Sequence, residues 1–204
     1  MRESFLQFLF SSSIDWVRTG ALFAVAIAVC VMYYRPMADR RRIFLRFAFG
    51  VAVFRLLFAG VRTALQYYAW MRTELTRFFL PPHQSVAVLL HYSWTHFWLN
   101  AIVSIGAALL FFAVLRALRA HNPRYFEEGE VELGALLALV VGWPHFVVFV
   151  PAVFLSVVVI SLIRDIFLRE AYTALGLPFF IGYAIALVST GYIIAALSLT
   201  SIII

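Results

Sequence analysis

Six stretches of this 204-residue chain stay apolar long enough to run through the hydrocarbon of a bilayer as helices: 16–34, 43–61, 97–118, 131–143, 145–163 and 177–198. The fourth is the shortest. Backbone polar groups in lipid must pair within their own segment, and continuous runs rather than ten-residue alternation select helices over barrel strands. The expected fold is therefore all-α, a polytopic transmembrane bundle of about six spans, with residues 1–204 forming one domain. Composition agrees, because 64% hydrophobic and 13% charged residues lie far outside the range of a soluble domain of this size.

All sixteen basic residues are arginine and ten residues are acidic, giving a net charge of +6. The arginines sit at the ends of the apolar runs rather than along one polar face. That placement points to topology and anionic headgroups, with the lipid bilayer as first partner, and not to nucleic acid. Arg35, Arg40, Arg41 and Arg42 surround Asp39 between the first two runs and mark a cytoplasmic loop. Alternation puts Arg116, Arg119 and Arg124, then Arg164 and Arg169, on the same side, with the segment 62–95 and both termini outside. The expected location is the cytoplasmic (inner) membrane, multi-pass. The brief run 86–92, behind Pro81-Pro82 and among Tyr67, Tyr68, Trp70, Tyr92, Trp94 and Trp98, reads as interfacial or re-entrant. Residues 1–15 lack the pattern of a cleaved signal peptide, and Phe5, Leu6, Phe8, Leu9 and Phe10 read as an interfacial lead-in.

Few residues offer metal or redox chemistry. Cys30 is the single cysteine, and His83, His91, His96, His121 and His145 never fall at an i, i+4 spacing, so neither a metal site nor a cofactor is expected. Arg55 stands out, because it lies near the middle of the second run, where a charge costs at least ~2.5–3.5 kcal/mol and turns toward the bundle interior or a wet cavity. No acid in that run can pair with it. Two uses stay open for Arg55: a carbonyl contact or snorkelling within the bundle, or the lining of a polar, substrate-binding cavity, as in a transporter.

From the third run onward three blocks follow in order. A span rich in Gly, Ala and Phe, 101–115, ends at Arg116; Gly129-Glu130-Val131-Glu132-Leu133-Gly134 opens the next; and Gly142-Trp143-Pro144 interrupts it. After one more span comes Leu177-Pro178-Phe179-Phe180-Ile181-Gly182. Over 101–186 this order resembles the membrane domain of the type IV prepilin leader peptidases. In that family a GxGD motif, a Gly-Trp-Pro break and an Ile-Pro-Phe-Gly-Pro-like entry follow one another. The resemblance implies an aspartic-type endopeptidase of the membrane that removes the basic leader of prepilin-like substrates, using the GxGD Asp and a second Asp at the end of an earlier span.

At the GxGD position this chain carries Glu127-Glu128-Gly129-Glu130, so Gly129 is kept and Glu130 stands where the catalytic Asp would be. At the other position the resemblance places Tyr34, with Asp39 five residues later as the remaining acid. Two carboxylates held close split their proton affinities, so that one gives a proton while the other activates water. Tyr34, with an ordinary pKa of about 10, would be a poor base near neutral pH. Two functions follow: leader hydrolysis by Glu130 with Asp39 swung toward it, or a non-catalytic helical subunit that binds pilin-like helices or packs in a membrane assembly. The plain alternatives are a solvated helix cap for Glu127, Glu128, Glu130 and Glu132, and an ion-paired counter-charge for Asp39.

Overall fold

The computed structural model describes residues 13–36, 39–122, 126–168 and 175–196. Arg124, Arg169 and the N-terminal lead-in lie outside them. The described residues form helices α1 (Ser13–Tyr33), α2 (Arg40–Arg72), α3 (Glu74–Arg77), α4 (Val86–Ser93), α5 (Leu99–His121), α6 (Glu130–Val141), α7 (Phe146–Leu168) and α8 (Gly176–Ala196). Five helical stretches are long and apolar enough to cross a membrane: α1, α2, α4 running on into α5, α7 and α8. This is a multi-pass membrane protein. Exposed residues such as Phe49, Leu110, Ile166 and Val188, each at least 66% accessible, suit an apolar solvent.

Two expectations change. The short run 86–92 does not re-enter; it continues through a π-helical turn, Trp94–Trp98, into α5. Within that turn Thr95 Oγ1 donates back to the carbonyls of His91 and Tyr92 at 3.2 and 3.0 Å. Such back-bonding competes with the regular ladder and accommodates an extra residue in the turn. The fourth run, read above as a span, is the 12-residue α6, about 18 Å long and too short to cross alone.

Helix α6 is instead the core of the bundle. Eleven of its twelve residues are buried, as an all-round apolar helix must be, and α1, α2, α5, α7 and α8 all contact it. Gly129, at φ 89°, and Gly142, at φ 64°, bracket it with left-handed backbone that side chains resist. Phe111, Phe149 and Phe179 pack edge to face beside it.

The helices share two polar ends. The end of α1, the starts of α2, α6 and α8, and the end of α5 meet at one, which gathers Arg40, Arg41, Arg116 and Arg119 as the charge pattern implies. The opposite end brings the start of α1 against the middle of α2 and the Gly-Trp-Pro turn.

Candidate functional site

Glu130 opens α6 and is fully buried. The hydroxyl of Tyr33 donates to its Oε1 at 3.1 Å, the backbone N–H of Gly176 donates to the same oxygen at 2.8 Å, and the N–H of Glu127 donates to Oε2 at 2.8 Å. One carboxyl group thus ties the end of α1, the start of α8 and the loop before α6. Burial pushes its carboxyl up, against the pull of those three donors. A side chain at position 176 would enter this knot, since a Cβ there would stand 2.0 Å from the Tyr33 ring.

The residues singled out from sequence separate around this point. Tyr34 is 63% exposed and stacks edge-on against Tyr33. Tyr33, the residue before it, makes the contact with Glu130, and no sequence periodicity marks it, since 21–34 is apolar at every position. In the structure Leu22, Ala26, Val29 and Tyr33 recur at helical spacing, and all four are buried. Asp39 sits at the N-cap of α2 and pairs with Arg42 at 3.2 Å, half-exposed. Among the described residues no hydrogen bond or ion pair joins it to Glu130. Gly129 supplies the left-handed turn, against the Cβ of Arg40. Glu132, one residue beyond Val131, is buried and pairs with Arg41 at 3.0 Å.

Arg55 faces the bundle, and the local sequence explains its partners. In a continuing helix the carbonyls of Leu139 and Val140 would accept from the N–H groups of residues 143 and 144. Pro144 has no N–H, and the N–H of Trp143 turns to Ser104 Oγ at 2.8 Å. Arg55 supplies what the Gly-Trp-Pro break removes: Nε donates to the Leu139 carbonyl at 2.9 Å and Nη2 to that of Val140 at 3.1 Å. Its Nη1 reaches Ser104 Oγ at 3.3 Å. A Cβ at position 142 would lie 2.1 Å from Nη2, so Gly142 leaves the room the guanidinium occupies. The cation also meets the negative end of the α6 dipole.

Beside Arg55 a cavity of about 360 Å³ is lined by Asp15, Arg18, Arg62, Asn100 and His145. Asp15 pairs with both Arg62 and Arg18, the latter at 3.7 Å. Among the described residues no group of three or more His, Cys, Asp or Glu is placed to hold a metal ion. No protein-family model, curated protein or solved structure matches this chain.

Proposed function

We propose that this chain is a non-catalytic, prepilin-peptidase-like membrane protein, a helical subunit or scaffold in which the carboxylate at the family's catalytic position has become an interhelical tie. One observation carries the reading. Both oxygens of Glu130 accept from Tyr33, Gly176 and Glu127, and no second carboxyl group bonds to it among the described residues. An acid/base pair needs two groups near enough to split their proton affinities. Asp39, the candidate second acid, is held by Arg42 instead. Gly129 and Arg55 serve position rather than substrate in this reading, since Arg55 already donates to three acceptors of its own chain.

A second reading is favoured by the burial of Glu130, which pushes its carboxyl up from the ordinary carboxylate value. In it, Asp39 leaves Arg42 and the pair hydrolyses the leader of a prepilin-like helix. Incubating the reconstituted full-length chain with a prepilin-like substrate, beside Glu130→Gln, Glu130→Asp and Asp39→Asn, separates the two. The scaffold reading expects no cleavage from any of the four. Cleavage by the wild type that disappears in Glu130→Gln and Asp39→Asn, with both variants inserted and folded, would establish the peptidase.

A further inference from the structure

At the Glu130 end the first turn of α6 has a second face. Arg41 from α2, Arg116 and Arg119 from α5, and Glu128 and Glu132 surround a pocket of about 410 Å³. Glu132 is only 3% exposed. Its Oε1 takes the Arg41 ion pair, while its Oε2 is buried with no hydrogen-bond partner. A buried carboxylate oxygen without a donor is costly, and a donor brought by a ligand removes that cost. Arg116 and Arg119 lie one helical turn apart on α5, and both line the pocket. Among the described residues neither is engaged by an acid in an ion pair.

The pocket therefore offers donors for an anion beside an acceptor that lacks one. A simple anion would meet the free oxygen of Glu132, and a simple cation would meet three guanidinium groups. A molecule carrying both charges a short distance apart satisfies both halves. We propose that this pocket binds a phosphate ester bearing a primary ammonium group, the ethanolamine phosphate chemistry of an aminophospholipid headgroup. The phosphate oxygens accept from Arg116 and Arg119, and the ammonium donates to Glu132 Oε2. The pocket lies where apolar helices end in a ring of arginines, which is where headgroups of a bilayer lie. A choline headgroup has the same charges and no N–H to donate, so it tests the assignment. The inference does not depend on whether Glu130 is catalytic.

The experiment uses the purified full-length chain in detergent, with binding of lipids of one acyl composition followed by native mass spectrometry. The series runs from phosphatidylethanolamine through its N-methyl and N,N-dimethyl forms to phosphatidylcholine, with phosphatidylglycerol as the lipid that lacks an ammonium. Affinity should fall by about tenfold from ethanolamine to choline, the size of one charge-assisted hydrogen bond. Phosphatidylglycerol should bind no better than choline. Glu132→Gln should shrink the ethanolamine preference to within about twofold, and Arg116→Gln with Arg119→Gln should weaken all of these lipids. Equal binding of ethanolamine and choline lipids by the wild type would overturn the proposal, and that comparison needs no variant to fold. A preference intact in folded Glu132→Gln would overturn it too. Displacement of the lipid by glycerophosphoethanolamine would assign the soluble form as the ligand, and its failure would assign the lipid.

Discussion

Replacing Arg55 with leucine removes the donors that the Gly-Trp-Pro break fails to supply, and the cost can be worked from the partners. The carbonyls of Leu139 and Val140 lose Nε and Nη2, while Ser104 keeps the Trp143 N–H. Each buried carbonyl left without a donor costs roughly 1–3 kcal/mol, so the two together cost about 2–6 kcal/mol. Removing a charge from membrane depth, which costs about 2.5–3.5 kcal/mol or more when the charge is unsolvated, offsets only part of this, because three acceptors of the chain already solvate the guanidinium. The net expectation is a loss of about 1–3 kcal/mol, with faster amide exchange at the end of α6. Arg55→Lys keeps the charge but not the planar fork, and should be destabilised at least as much. Denaturant titration in detergent measures the first quantity and hydrogen exchange by mass spectrometry the second. Arg55→Leu with wild-type stability within about 0.5 kcal/mol and unchanged protection of 139–143 would refute the capping argument.

Two further outcomes follow from the packing. Gly176→Ala should destabilise by about 1–3 kcal/mol, because its Cβ would collide with the Tyr33 ring, whereas helix propensity alone predicts stabilisation of about 0.5–1 kcal/mol; a titration reads the sign. Cysteines placed at Arg41 and Arg116, which line the same pocket, should share one accessibility to a membrane-impermeant label. Opposite accessibilities would rule out the arrangement of α2 and α5.

The helical class and the inward Arg55 were legible because lipid constrains them strongly. Long apolar runs cannot be strands there, and a charge at mid-span cannot face hydrocarbon without large cost. The role of α6 was harder to read, because an apolar run of this length suits a membrane span cut short as well as a buried core helix, and the pattern is the same. Tyr34, which the resemblance marks, and Tyr33, which bonds Glu130, are one residue apart, which on a helix is a turn of about 100° and separates a surface side chain from a core one. Residues 21–34 are apolar at every position, so no stripe in the sequence sets the register. Gly176 donates through its backbone, which no residue type advertises. The pairing of Glu132 with Arg41 joins two helices ninety residues apart in sequence, and charge sign alone does not choose among the neighbouring arginines.

The account centres on Glu130 as a tie between helices, and the bond most particular to that role is the one from Tyr33. A double-mutant cycle on Tyr33→Phe and Glu130→Leu, measured as unfolding free energy of the full-length chain in detergent, isolates it. The tie predicts a coupling of about 1.5–3 kcal/mol, the range of a hydrogen bond to a charged group. Additive effects, with a coupling below about 0.5 kcal/mol, would contradict it.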